Sequence, residues 1–229
     1  MPAVTQPQTE RLPPPPPPPL EVLVTGFGPF TNIPSNPSFT IVSSLPPTVN
    51  LPSGRLLRIH VHPVPVRVAY TEVATLVPQL YARFPAVDLF VHVGVGTSLD
   101  GYKVEVRARR EPYDRADVDG RTWSNGVAGA DPHALPAECW ADLNVSQVLD
   151  RAFKSDAKPK PSISDDAGLY LCEFIYFNSL VMAQRLREAG GKKVSGVFLH
   201  VPKGTTLPDI ERGREVLLRL LVGLAGEEP

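Results

Sequence analysis

Cysteine is scarce in this chain: Cys139 and Cys172 are the only two in 229 residues. Two are too few for a disulfide framework or a cysteine-rich zinc site, so a reduced, cytoplasmic setting is expected. The usual sign of secretion, a basic n-region followed by an apolar h-region, is missing from the N-terminus. No apolar run approaches the roughly 20 residues that span a bilayer, so no membrane partner is expected. Nor does one sign of charge dominate. With 23 Lys and Arg against 24 Asp and Glu, the formal net charge is −1, which argues against nucleic acid as a partner. Histidine is limited to five residues, and only His60 and His62 form an H-x-H pair. No further histidine or carboxylate cluster accompanies that pair, so neither a metal nor any other cofactor is expected.

Proline, by contrast, is abundant, and seven consecutive prolines stand at Pro13–Pro19. Such a run adopts polyproline II and behaves as a semi-rigid spacer or solvated tail. Residues 1–20 therefore read as a disordered Pro-rich tail. An SH3- or WW-type module could take the Pro13–Pro19 run as its ligand, but a tail is the simpler reading. Residues 21–229 read as one domain, of ordinary size for an α/β fold.

Val22–Thr25 is a short apolar run leading into the turn Gly26-Phe27-Gly28-Pro29-Phe30. In open α/β sheets ligands gather beyond the carboxyl ends of strands, so Phe27 and Phe30 either wall a small substrate site or plug the edge of the core. GFGPF lacks the spacing of a dinucleotide fingerprint. Helical periodicity covers Pro37–Leu45, Tyr70–Phe84 and Pro208–Leu224, whereas Leu56–Pro65, Val87–Gly96 and Val194–Val201 read as strands. Strands alternating with helices predict a three-layer α/β/α sandwich around a mostly parallel mixed sheet, with no internal repeat. His92, inside an apolar strand, reads as a hydrogen-bonded interior histidine. Tyr102–Ala108 alternates at period two, which puts Lys103, Glu105 and Arg107 on one face, ordinarily the solvated face of an edge strand. From Arg109 to Ile163 the pattern is irregular, with one short helix expected around Glu138–Phe153 and an insertion around 121–162. His133 and Cys139 fall there, without the strand end or helix start that a catalytic pair would need.

The stretch Ser164–Gly191 carries the chemistry. Asp165 and Asp166 are good N-cap residues, Arg185 and Arg187 suit a helix C-terminus, and Gly190-Gly191 ends it. Cys172 then lies in the first or second turn, where the partial positive charge of the macrodipole favours a thiolate nucleophile. The following strand carries His200 at its carboxyl end. Helix N-termini and strand C-termini share one rim in such a sheet, so a Cys172–His200 pair can form. An imidazole base needs an orienting carboxylate, and spacing leaves Asp165, Asp166, Glu173 and Glu105 all open.

Four segments carry a further resemblance: VTGFGPF at Val24–Phe30 with Asn36-Pro37, DLFVHVGV at Asp88–Val95, SDDAGLYLCEFIYFNSL at Ser164–Leu180 and VFLHVP at Val197–Pro202. Together they resemble the pyroglutamyl peptidase I (pyrrolidone-carboxylate peptidase) family of cysteine peptidases, in the family's order. The resemblance implies an enzyme that hydrolyses the N-terminal pyroglutamyl residue from peptides through a thioester. It implies Cys172 as nucleophile, His200 as general acid/base and Glu105 as the third member of the triad. It also implies that Phe27 and Phe30 sandwich the pyrrolidone ring, that Tyr170 and Leu171 line the same pocket, and that the Cys172 amide and Arg115 assist the oxyanion. Thr31-Asn32, the stretch after Glu105 and the long 121–162 region depart from the family pattern. Besides an active peptidase, the sequence admits a catalytically altered relative acting as a binding or scaffold protein and a nucleoside phosphorylase-like enzyme.

Overall fold

The structure is a computed structural model that describes residues 17–30, 33–96, 101–124, 135–154 and 159–229. Expectations for residues 1–16, including most of the proline run, for Thr31-Asn32 and for His133 lie outside the described residues. Four strands form a parallel centre: β1 (Leu20–Gly26), β3 (Leu56–Val61), β4 (Leu89–Val95) and β9 (Ser195–Val201), in the order β3-β1-β4-β9. On one side β2 (Thr48–Asn50) adds an antiparallel edge to β3. On the other, β5 (Lys103–Glu105) runs antiparallel to β9, and β8 (Ser162–Ser164) runs parallel to β5. The result is a seven-stranded, mostly parallel mixed sheet. A separate antiparallel pair joins β6 (Arg107–Arg109) to β7 (Glu138–Trp140).

β4 and β9 are buried along their whole length, so their period-two alternation sorts one kind of core from another. Phe90, His92, Phe198 and His200 face α2 (Tyr70–Arg83) and α4 (Leu171–Glu188), an aromatic-rich layer. Val91, Val93, Val197 and Leu199 face the opposite layer of α1 (Pro37–Ser43), α3 (Val145–Ala152) and α5 (Leu207–Leu224). Burying each large apolar side chain stabilises the fold by about 1.5–3 kcal/mol, which is why both faces must be covered. The α/β/α layering therefore follows from two unbroken apolar strands.

The differences from the sequence reading have local causes. α4 begins at Leu171, not after Asp165 or Asp166, and its N-cap Tyr170 makes no side-chain cap bond. The chain from Gly168 to Leu169 takes positive φ, +95° and +48°, so no helical turn can form there. Tyr102–Ala108 is two short strands interrupted at Val106. β8 pairs with the outer side of β5, which therefore is not an edge, and Glu105 is fully buried instead of solvated. The region given to one helix around Glu138–Phe153 holds β7 and the shorter α3, whose cap is the Asn144 side chain. The strand read over Leu56–Pro65 ends at Val61, which leaves His62 beyond it, and His60 pairs with Glu21 at 2.6 Å.

Candidate active site

Three elements deliver three side chains to one rim of the sheet. His200 stands next to last in β9, opposite Gly94 on β4 and Lys103 on β5. Glu105 ends β5, and its Oε1 accepts a hydrogen bond from His200 Nδ1 at 2.8 Å. A carboxylate only accepts, so Nδ1 carries the proton and the other ring nitrogen is left for the cavity that His200 shares with Cys172. Cys172 is the second residue of α4. The close fit of its sulfur explains Gly94: a Cβ there would lie 2.9 Å from Cys172 Sγ and 2.6 Å from the Phe198 ring.

The electrostatics favour a protonated His200. Burial acts to lower the His200 pKa, but the Cys172 sulfur and then Glu105 outweigh it and raise it to about 9. The imidazolium is thus held between two groups that carry or can carry negative charge. Among the described residues Glu105 Oε2 is buried without a hydrogen-bond partner. A carboxylate kept in that condition is costly for stability alone, as expected of a group retained for its effect on His200.

Cys172, His200 and Glu105 open on a cavity of about 210 Å³, whose wall includes Phe30, Tyr170, Lys103 and Arg115. That is below the roughly 300–1,000 Å³ of drug-sized pockets and suits a group of amino-acid size. Phe30 and Tyr170 face each other with ring centroids 6.3 Å apart, and the Arg115 guanidinium sits over the Tyr170 ring at 4.4 Å. Phe27 and Leu171, expected on the wall with them, are instead 2% and 1% exposed in the core and are not among the cavity's lining residues. The Ser38 hydroxyl explains Phe27, because it holds both the amide and the carbonyl of that residue, at 3.0 and 3.2 Å. A larger cavity of about 420 Å³, near Tyr102, Asp209 and Arg212, holds no nucleophile and lies apart from the triad.

The remaining candidate carboxylates do other work. Glu173 is buried and takes four hydrogen bonds: from the Leu169 amide at 2.6 Å, the Arg109 amide at 2.8 Å, and Arg109 Nε and Nη2 at 2.7 and 3.0 Å. It therefore pins the left-handed turn in front of α4 from inside the helix. Asp166 pairs with Arg109, and Asp165 is exposed. Sequence reasoning also missed Asn36, whose amide holds the Gly28 carbonyl at 2.9 Å and whose oxygen caps α1. An Asn-Pro pair ahead of an apolar run was the available signal for that cap. Among the described residues no group of three or more His, Cys, Asp or Glu is placed to hold a metal ion, and no helix is long and apolar enough to cross a membrane.

The family model described as pyroglutamyl peptidase matches residues 20–211. Pyroglutamyl-peptidase 1 of Mus musculus is 30% identical over 181 residues, which are 79% of this chain and 78% of that protein. Pyrrolidone-carboxylate peptidase of Deinococcus radiodurans is 32% identical over 184 residues, 79% of this chain and 77% of its own. Among solved structures, pyroglutamyl peptidase I from Bacillus amyloliquefaciens superposes with a TM-score of 0.71 at 21% identity, covering 92% of this chain and 100% of that one. A likeness at that identity speaks for the fold.

Proposed function

This chain belongs to the pyroglutamyl peptidase family, and we propose that it is a cysteine exopeptidase that releases the N-terminal pyroglutamyl residue from peptides, with Cys172, His200 and Glu105 as its catalytic residues. The observation that carries the reading is that Cys172, His200 and Glu105 line one cavity, with His200 bonded at 2.8 Å to a buried carboxylate. The scaffold alternative finds no support in the comparisons. The peptidase domain is the chain from about residue 21 onward, and the free cysteines fit a reducing, cytoplasmic setting.

In this reading the Cys172 thiolate attacks the pyroglutamyl carbonyl carbon, and the C=O π pair moves onto oxygen. The first amides of α4 have no intrahelical acceptor, so the Cys172 amide is the donor we assign to that oxyanion. His200 gives its proton to the departing amine as the C–N bond breaks, which leaves a thioester on Cys172. It then takes a proton from water, whose oxygen attacks the thioester, and returns that proton to the sulfur as free pyroglutamate leaves. Glu105 keeps Nδ1 protonated, so the other nitrogen always faces the sulfur. Phe30 and Tyr170 form the apolar wall for the lactam, and Phe27 supports Phe30 from the core. A free N-terminal Glu or Gln brings a charged amine that such a wall excludes.

The test is release of a fluorescent amine from a pyroglutamyl amide by the purified chain, compared with Cys172→Ala. Turnover in the wild type and none in the variant is expected. An inactive wild type, or equal rates in both, would refute the assignment.

A further inference from the structure

The cavity wall carries more charge than an apolar lactam requires, and its balance is uneven. Glu105 is committed to His200. Asp166, also on the wall, is committed to Arg109. The two cations on the wall, Lys103 and Arg115, have no carboxylate partner among the described residues; Arg115 rests on the Tyr170 ring instead. Both lie towards solvent, Lys103 half-buried and Arg115 exposed, whereas the triad behind them is buried or nearly so.

This gradient orients a substrate. The ring of a pyroglutamyl peptide takes the inner end, between Phe30 and Tyr170, and the rest of the peptide leaves past the outer rim. The residue just after the scissile bond therefore passes Lys103 and Arg115. Lys103 stands directly opposite His200 in register, so the two side chains leave the sheet on the same face and both line the cavity. From this, and resting on the peptidase reading above, we infer that Lys103 and Arg115 select substrates with a carboxylate on the residue after the pyroglutamyl group. That carboxylate is either the free C-terminus of a pyroglutamyl dipeptide or an acidic side chain in a longer peptide. Arg115 then serves the leaving group and not the oxyanion, which the fixed amides of α4 supply.

The experiment compares kcat/KM of the full chain on pyroglutamyl-alanine, pyroglutamyl-alanine amide and pyroglutamyl-glutamate diamide. A charge-assisted contact at a partly exposed site corresponds to about a tenfold preference. The dipeptide acid is expected to exceed its amide by that factor, mostly through KM, if the C-terminus is read, and the glutamate diamide to exceed the alanine amide if the side chain is. Added salt should shrink either ratio, and Lys103→Met or Arg115→Gln should bring it towards one. A loss of kcat in Arg115→Gln that is equal for all three substrates would instead assign Arg115 to the oxyanion and overturn its role here. Turnover of all three at equal efficiency overturns the inference and leaves the peptidase reading standing; turnover of none overturns both.

Discussion

His92 and His200 occupy nearly equivalent places and have opposite chemistry. Each is two residues beyond a phenylalanine on its own strand, with ring centroids 5.1 Å apart for Phe90–His92 and 4.7 Å for Phe198–His200. β4 and β9 are parallel neighbours, so the two imidazoles face the same helix layer two residues apart in register. Both are buried, at 1% and 8% exposure. His92, however, has only hydroxyl partners among the described residues, Thr25 at 2.8 Å and Ser179 at 2.7 Å, and burial pushes its pKa down to about 3. Burial lowers His200 as well, but a sulfur and a carboxylate overcome it and the pKa rises to about 9. Burial is common to both; the charge of the partners sets the sign. His92 is a neutral strut between the sheet and α4, and His200 is the group we propose as the base.

Removing the charged partners is the most severe way to break that contrast. Cys172→Ala and His200→Ala are each expected to lower kcat on a pyroglutamyl amide by about 10³-fold or more, since members of a catalytic unit fail together. In Cys172→Ala the His200 pKa, followed by NMR of the ring protons, should fall from about 9; an unchanged value would mean that the sulfur is not its main support. Glu105→Gln comes next. Neutral glutamine withdraws support from the imidazolium and can present the wrong group to Nδ1. A kcat loss of about 10²–10⁴-fold is expected, and the alkaline limb of the pH–rate profile should move below about pH 9. A limb that stays in place would detach Glu105 from His200.

Gly94→Ala tests the same contrast through space. The added methyl would sit 2.9 Å from Cys172 Sγ and 2.6 Å from the Phe198 ring, between the sulfur and the ring that supports His200. Overpacking of this kind costs about 1–3 kcal/mol of stability, and displacing the thiol should lower kcat about tenfold or more. Denaturant melting and kcat together check it; wild-type kcat would show that the rim yields without moving the nucleophile.

How far the sequence announces this site depends on how local each cause is. Cys172 and His200 could be placed on one rim because each sits at the end of an element with a clear pattern. Glu105 could not be separated from three other carboxylates by spacing. Its burial depends on β8, the three residues Ser162-Ile163-Ser164, which have no strand signature and come nearly sixty residues later. The start of α4 was misplaced for a related reason. Asp165 and Asp166 look like caps, but Glu173 reaches back to the Leu169 amide only because Arg109, from another sheet, neutralises it. Phe27 and Phe30 looked alike in GFGPF, and the Ser38 hydroxyl separates them. The layer order was readable throughout, because the apolar runs of β4 and β9 must be covered on both faces.

A further effect should appear in stability against pH, where the two histidines pull in opposite directions. An unfolded chain titrates both near the ordinary value of about 6.5. For His92 the folded pKa is lower, about 3. Between pH 6.5 and 3 the unfolded state therefore binds the extra proton, and stability falls as pH falls. For His200 the folded pKa is higher, about 9. Its contribution is complete below pH 6.5 and is lost as pH rises towards 9. Denaturant midpoints across this range should trace a dome, to which each histidine contributes one flank. His92→Gln, which keeps a polar group between Thr25 and Ser179, should flatten the acid flank and leave the alkaline one, and His200→Gln should do the reverse. If both substitutions changed the same flank, the two imidazoles would share one protonation state in the folded protein, and the assignment of strut and base would fail.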